Sequence, residues 1–552
     1  YRCQTCSTLT LKCRECCLKA HTSLHNHYIE ELHNNCFSPI TLASIGHVWY
    51  LGHEGEPCRV MPREEPGTWM DVDFDGQLEE NGLHHHRMHC VEETYRSLLV
   101  IDSNGATEHN FHFCNCDSAL SDIEQLMKER LFPSSYDKIS TVFTFALLDD
   151  YLLESSECKT SALSFWAKVV RKTNDAFPSD VPNRYREFMR VARCWRHLQS
   201  QKRRGVGYSS TTIDNPISAL YCAACPQPDI NMPDGWRKDP RQWLYRRSIT
   251  ADGFFSADHL RAASKHNNSD VQLSDNEAYM TRWDQYEHHL NNAREYPMVC
   301  EISTCNNHRS VNSTQDTGNN QHKDRTGIGA ACCARHGCIV PGCVVDFVTS
   351  GERQKYMDYS ICKASSFNSN ELQSLLIIYD VCCQWKKKFK HWLAANPTIS
   401  LPPSILASGD ITYAVGKFHL SAHIDECYAA HTLNYILGAG QIDGELMETV
   451  WGPLKGVVQT MRSMSLEHRR EAMDQQFFNH NWKKLVSTVQ TQVKRIKAAI
   501  AGFNDANSAF QQIGATLPPD IDLDEWREQE RRAMTLRGEH LRIFDVCLDK
   551  GK

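Results

Sequence analysis

The sequence has no run of about 18 apolar residues, so no membrane-spanning helix is expected. It also lacks a basic excess: 60 Lys and Arg stand against 67 Asp and Glu, a formal charge of −7. The chain is therefore no polycation, and any contact with nucleic acid must come from local patches. A starting methionine is missing too. The chain opens at Tyr1, two residues ahead of a cysteine pair. It is expected to be a piece of a longer product, so the lack of a leader peptide says little. What remains is ordinary globular composition, 41% hydrophobic and 23% charged over 552 residues, enough for about three or four domains.

Cysteine and histidine are plentiful, at 25 and 27 residues. Disulfide frameworks belong to small secreted chains. Here the chain is long and the two residue types are interleaved, which points to intracellular zinc binding. Lone residues such as Cys158, Cys194 and Cys547 read as packing or surface positions.

Residues 1–36 carry the densest pattern: Cys3-x-x-Cys6, Cys13-x-x-Cys16, then His21, His25 and His27. Thiolate and imidazole at these spacings suit tetrahedral Zn²⁺, because a CxxC turn brings two sulfurs to one metal. Cys3, Cys6, Cys13, Cys16, His21 and His27 are too many ligands for one site and too few for two. The missing pair of a cross-braced module is expected upstream of Tyr1, with Cys17 and His25 as substitutes.

Residues 37–120 read as β-rich. Leu98–Asp102, a Ser-Asn-Gly turn and Glu108–Phe113 suggest a hairpin. It leads into Cys114-Asn115-Cys116, which could meet Cys58 and a histidine such as His53 in a second zinc site. His84, His85, His86, His89 and Cys90 lie in a polar loop and read as solvated.

Residues 121–245 read as helical and basic. Asp122–Leu131 is a short amphipathic piece, and Phe143–Thr173 reads as two helices broken at Glu154-Ser155-Ser156-Glu157. Pro182 opens a long helix over Asn183–Arg204. It carries Arg184, Arg186, Arg190, Arg193, Arg196, Lys202, Arg203 and Arg204 beside a stripe of Tyr185, Phe188, Ala192, Trp195 and Leu198. Clustered cations of this kind bind DNA phosphates by counterion release; a solvated basic face over a packed stripe is the alternative. Cys222-x-x-Cys225 is a further zinc knuckle, with Cys305, Cys333 or His336 as possible partners.

The central stretch is Leu372–Trp392. Leu375–Tyr379 is a short apolar run suited to a strand buried on both faces, and Asp380 ends it. A carboxylate there is either the N-cap of the following helix or a ligand-binding group at the end of an α/β strand. Arg246–Asp252 reads as another strand ending in a carboxylate, residues 263–326 as a polar insertion, and Gly327–Arg335 as the start of a further strand. Ile411–Val415 is strand-like. His419, His423 and Cys427 recur every four residues, so on one helix they would share a face and could hold a zinc with Cys383; chance packing is the other reading. A glycine-rich turn, Gly438–Gly444, opens a helix over Glu445–Leu454 with Glu445 and Glu448 one turn apart. Residues 461–552 read as mixed-charge helices, a bundle or oligomerisation region.

Asp252, Asp380 and Glu445 together have the layout of an RNase H-like α/β nuclease core over residues 246–460, flanked by the N-terminal zinc module and helical regions. Three carboxylates there would hold two divalent ions, and hard oxygen ligands suit Mg²⁺ or Mn²⁺. Such a pair supports in-line phosphoryl transfer.

Ordered runs along the chain closely resemble the KDZ (Kyakuja–Dileera–Zisupton) transposases with their CxC-type cysteine cluster. They are CRECCLKAH (13–21), IDSNG…FHFCNC (101–116), RYREFMRVARCWRHL (184–198), YCAACPQPDINMP (221–233), EISTC (301–305) and GIGAACCARH (327–336), followed by GERQKYMDY (351–359), YDVCCQW (379–385), KFHLSAHIDEC (417–427) and DGELMETVW (443–451). The resemblance implies a DDE-type enzyme with Asp252 and Asp380 as its first two acids. Glu445 is favoured as the third, with Glu448 as rival and Asp358 as a weaker candidate. It implies double-stranded DNA as partner, a homo-oligomer, no membrane and a nuclear location. Two runs depart from the family pattern. Text similar to MDANFRLKRK reads TADGFFSADH here (250–259), which keeps the acid and loses the cations after it; a GVGDLQ-like run reads GCVVDFVTS (342–350). Two functions follow: a cut-and-paste transposase acting at terminal repeats, or a decayed or domesticated zinc-containing DNA- or chromatin-binding protein. A B-box-like protein-interaction role for residues 1–36 is a third.

Overall fold

The computed structural model describes residues 1–60, 95–204, 219–261, 273, 278–293, 305, 320–518 and 521–536. The histidine-rich loop at 84–90 and most of the 263–326 insertion fall outside them. The chain divides into two compact units, Tyr1–Arg196 and His197–Lys552.

The first unit opens with a three-stranded sheet of β1 (Arg2–Cys3), β2 (Ile29–His33) and β3 (Cys36–Ile40), with α1 (Arg14–Ala20) between its first two strands. Asn34 and Asn35 join β2 to β3 with φ of 48° and 61°, the left-handed pair that a two-residue hairpin requires and asparagine tolerates. A five-stranded sheet follows, built from β4 (Val48–Tyr50), β5 (Arg96–Asp102), β6 (Gly105–His112), β7 (Leu131–Pro133) and β8 (Thr141–Thr144) in the order β4-β6-β5-β8-β7. The hairpin expected around Ser103-Asn104-Gly105 is β5–β6.

Helix α2 (Asp122–Lys128) is closed by a capping box of Ser121 and Glu124. It stops short of Leu131 because Arg130 turns to φ 61° and Leu131 enters β7. In α3 (Phe145–Glu157) and α4 (Ala162–Thr173) the break falls after the Glu-Ser-Ser-Glu run. Lys159 takes φ 60° and Ser161 caps α4 by accepting from Ser164 N at 3.0 Å. Helix α5 (Tyr185–Arg204) buries Phe188, Val191, Ala192 and Trp195.

The second unit runs β9 (Arg247–Phe254), β10 (His259–Leu260), α6 (Trp283–Asn292), β11 (Lys323–Arg325), β12 (Gly327–Cys333), β13 (Val345–Phe347), α7 (Gln354–Ser366), β14 (Ser374–Tyr379), α8 (Cys382–Ala395), α9 (Pro403–Ser408), β15 (Asp410–Ala414), α10 (Lys417–Leu420), α11 (Asp425–His431), α12 (Leu446–Met461), α13 (Leu466–Val486), α14 (Thr488–Ala515) and α15 (Leu523–Leu536). Its sheet has the order β13-β12-β9-β14-β15. β12 runs antiparallel to β13 and β9, while β9, β14 and β15 are parallel. Every residue of β12 and of β14 is buried, as an apolar run such as Leu375–Tyr379 requires of a strand covered on both faces. Asp346 on β13 is 1% exposed and is held by Arg469 at 2.6 Å and Arg470 at 3.4 Å, which fastens α13 to the sheet. Breaking a pair this buried by removing one partner costs about 3–5 kcal/mol.

Helix α12 starts one residue later than expected and runs on through Pro453 to Met461. The missing N–H is tolerated because Leu454, Val457, Val458 and Met461 are buried beyond it. Among the described residues no helix is long and apolar enough to cross a membrane.

Candidate functional site

On the parallel pair β9–β14, Thr250 stands opposite Ile378 and Ala251 opposite Tyr379. The next position along holds Asp252 on one strand and Asp380 just past the end of the other. The backbones that carry the two acids therefore leave the sheet side by side, about one strand spacing of 4.8 Å apart. With Glu445, Glu448 and His419 the two acids line one small, half-open cleft. Helix α12 is brought to this cleft by Gly444, whose carbonyl accepts from Thr250 Oγ1 at 2.9 Å. Gly444 has φ +86°, and a Cβ there would meet Gly416 Cα at 2.8 Å, so this turn needs glycine.

Asp252 is fixed at both oxygens. Gly253 N donates to Oδ1 at 2.8 Å and Trp451 Nε1 to Oδ2 at 2.7 Å, while the Trp451 ring stacks on Phe254 at 5.0 Å. Burial, with the Asp380 charge second and Glu448 also contributing, pushes the Asp252 carboxyl up to about 7 against the two donors. Asp380 accepts from Val381 N at 2.7 Å. The N-cap of α8 is Val381, which has no side-chain cap, so Asp380 steadies the strand end from one residue before the helix.

Glu352, in the loop between β13 and α7, is a fourth acid here that sequence reasoning missed. It accepts from the Tyr379 hydroxyl. Burial first, then Asp380 and Asp252, raises it well above the ordinary carboxylate range. A Cβ at Gly253 would press on Oε2, at the end of the Glu352 side chain, so a larger residue after Asp252 would shift Glu352 from its present place. Its only sequence signal was a place in the GERQKYMDY run.

The two glutamates of the DGELMETVW run differ. Glu445 is the N-cap of α12; Phe418 N donates to its Oε1 at 3.0 Å and His419 Nε2 lies 3.3 Å from its Oε2. Burial raises its carboxyl. Glu448, one turn on, is the glutamate whose charge acts on Asp252. Asp358 is buried elsewhere, its Oδ1 accepting from Trp385 Nε1 at 2.7 Å, and it does not line the cleft.

Cysteine and histidine converge four times among the described residues, in each case with ligand atoms within 4.8 Å of one another. The first group is Cys3, Cys6, His21 and His27. Cys13 and Cys16 are exposed and outside it, and His25 stacks on Trp49 at 3.9 Å. The second joins Cys58, Cys114 and Cys116 with His53, and the third joins Cys222 and Cys225 with Cys333 and His336. In the fourth, Cys305, Cys383, His423 and Cys427 meet. His419 is not part of it. The segment is two helices, α10 and α11, separated by the turn after Leu420, so a spacing of four does not align His419 with His423. Cys305, expected beside Cys222, belongs to this group instead. Thiolate–imidazole sets of four are the donor chemistry of tetrahedral zinc, and each group can bind such a metal.

On α5, Arg186, Arg190, Lys202 and Arg203 are exposed, and Arg184, Arg193 and Arg196 are half-buried. Several have local duties, Arg184 among them, whose Nη1 lies 3.9 Å from Glu187 Oε1. Arg190 Nη2 donates to Ser134 O at 2.6 Å, and Arg203 sits 4.7 Å over the Phe478 ring. The side chain of Arg204 lies outside the described set.

Comparison with known proteins gives two matches. Residues 245–481 match the family model of the Kyakuja-Dileera-Zisupton transposase, and residues 78–176 match the CxC2 like cysteine cluster associated with KDZ transposases. No curated protein and no solved structure matches the chain. By both segments, and with the paired acids and the group of Cys305, Cys383, His423 and Cys427 inside the larger one, the chain belongs to the KDZ transposase family.

Proposed function

We propose that the second unit is an RNase H-like, DDE-type nuclease that cleaves and joins DNA strands at the terminal repeats of a cut-and-paste element in the nucleus. The observation that carries this reading is the in-register adjacency of Asp252 and Asp380 on parallel strands, with α12 presenting a glutamate to the same cleft. The strand order β13-β12-β9-β14-β15, in which β12 alone is reversed, supports the fold assignment. We assign Glu448 as the third acid in preference to Glu445, because the Glu445 oxygens are engaged by Phe418 N and His419. Asp252, Asp380 and Glu448 would hold Mg²⁺ or Mn²⁺; a bound pair supplies activation of the attacking hydroxyl and stabilisation of the leaving oxygen. Trp451 and Gly253 N orient Asp252, and Tyr379 orients Glu352. Carboxyls raised by burial and by one another are the electrostatic mark of a site built for cations. The cysteine–histidine groups would hold structural zinc.

The test is nicking of a terminal-repeat duplex by the full chain. Cleavage is expected with Mg²⁺ or Mn²⁺ and none with chelator; no cleavage under either metal removes the enzyme reading. A second reading, a zinc-containing DNA- or chromatin-binding protein, is favoured by one observation: the segment after Asp252 offers Gly253, Phe254, Phe255 and Ser256 and no cation to a DNA backbone. In either case α5 is proposed to contact phosphates. Replacing Arg186 and Lys202 by Gln is then expected to reduce the slope of log K against log salt by about 2, near 0.9 per lost contact, measured by titration with a labelled duplex.

A further inference from the structure

Helix α14 is 28 residues long and buries none of them, although a helix of about 42 Å that presents only polar residues to water would need no apolar face at all. It has one. Val489, Val493, Ile496, Ile500, Phe503 and Phe510 are between 47% and 73% exposed. With Asn507 they fall at intervals of four, three, four, three, four and three. That is the a/d alternation of a left-handed coiled coil, with Val493, Ile500 and Asn507 at a and Val489, Ile496, Phe503 and Phe510 at d. Val486, 66% exposed at the end of α13, continues the a series upstream. Four heptads is long enough for the repeat to be a specified seam.

We infer that α14 forms a parallel, two-stranded coiled coil with a second copy of this chain. Three features select that occupant. Asn507 is the one polar residue in the seam, and an asparagine at a finds its partner in the same residue of an in-register parallel neighbour; elsewhere it would be a buried amide facing hydrocarbon. The other a positions, Val486, Val493 and Ile500, carry no second polar group, so Asn507 alone sets register and strand number. The flanking positions carry no code for a different, charged partner. Across a parallel pair Ala499 would meet Asn504 and Ala506 would meet Gln511, while Gln492, the residue opposite Lys497, is turned to His336, so nothing repels a self-pairing and nothing attracts a foreign one. The nearest alternative within the chain, α15, is half as long, and its Leu523 and Trp526 are followed at the next seam position by Glu530.

The base of α14 is fixed to its own unit. Gln492 lies 2.7 Å from His336 Nε2, and Arg495 donates to the Arg335 carbonyl at 2.6 Å. The Nδ1 of His336 faces Cys222 at 3.1 Å. The cysteine–histidine knuckle thereby sets the direction in which the seam leaves, and a dimer through α14 would hold two copies of the carboxylate cleft on one rigid frame.

The full chain is measured by sedimentation equilibrium at micromolar concentration. The expected result is a dimer that becomes a monomer in the double variant Ile496→Lys, Phe503→Lys, with the melting temperature of the rest unchanged because these side chains are exposed. Asn507→Val is expected to stay associated and to populate larger species. A photo-crosslinking amino acid at position 507 is expected to capture residues 503–510 of the second copy. A monomeric wild type, a dimer that survives the double variant, or capture of α15 or of a distant part of the partner helix would each overturn the inference. None of these readings depends on cleavage, so failure of the nuclease reading leaves them intact.

Discussion

Asp380→Asn is expected to abolish metal-dependent nicking while the protein still folds. Asparagine keeps an oxygen able to accept from Val381 N, the 2.7 Å bond that steadies the end of β14, and removes only the charge. The charge is costly in the free protein, since Asp380 is the principal neighbour raising both Asp252 and Glu352. The variant should therefore be at least as stable as wild type. What it loses is a ligand for the divalent ions. If the ions supply several kcal/mol of transition-state stabilisation, losing about 4 kcal/mol is roughly a thousandfold in rate. The informative comparison is between the two glutamates. Glu448→Gln should match Asp380→Asn. Glu445→Gln should fall less, because its oxygens hold the turn at Phe418–His419. Equal cleavage by wild type and Asp380→Asn would take Asp380 out of the mechanism, and the reverse order for the glutamates would restore Glu445 as third acid.

Removing metal from the third cysteine–histidine group should have the largest effect on stability. Cys222 and Cys225 come from the connector ahead of β9, and Cys333 and His336 from the end of β12 and the turn after it, so four ligands tie a loop of low regularity to the centre of the sheet. Cys222, Cys225 and Cys333 are each under 5% exposed, and no shell of water can replace a lost ion. Structural zinc contributes about 10–16 kcal/mol in small zinc modules, as much as or more than the whole stability of a typical domain, about 5–15 kcal/mol. Cys333→Ser, or prolonged chelation, should therefore lower the bound zinc measured by mass spectrometry and remove the cooperative melting of the second unit. A chelated protein that melts where the loaded one does would show that the group has no structural role.

Much of this was readable from local chemistry. Leu375–Tyr379 with Asp380, the hairpin through Ser103-Asn104, and the grouping of Cys58 with Cys114 and Cys116 all follow from periodicity, turn residues and ligand type. What escaped depends on contacts between residues far apart in sequence. Glu352 sits alone in a loop, and its significance comes from Tyr379 and Gly253, 27 and 99 positions away. His419 has a spacing that suggests a shared helix face with His423. The chain breaks after Leu420, and the ring goes to Glu445 instead. Cys305 reads as a ligand in sequence but as a partner of Cys222, and only the fold brings it to Cys383, His423 and Cys427. Pro453 argues locally for a helix end, and burial of Val457, Val458 and Met461 overrides it.

The segment after Asp252 is held by residues far from it in sequence. Counted from the acid, Phe254 stands where the family text has asparagine, and Asp258 where it has lysine. Both are accommodated. Phe254 stacks on Trp451, and Asp258 pairs with Lys323 at 2.8 Å and Arg462 at 2.9 Å. Restoring lysine at 258 alone would set a third cation against those two, and a side chain at 253 would strike Glu352. The charge balance of this stretch is thus set from outside it, and a cation at 258 would need matching changes at Lys323 and Arg462.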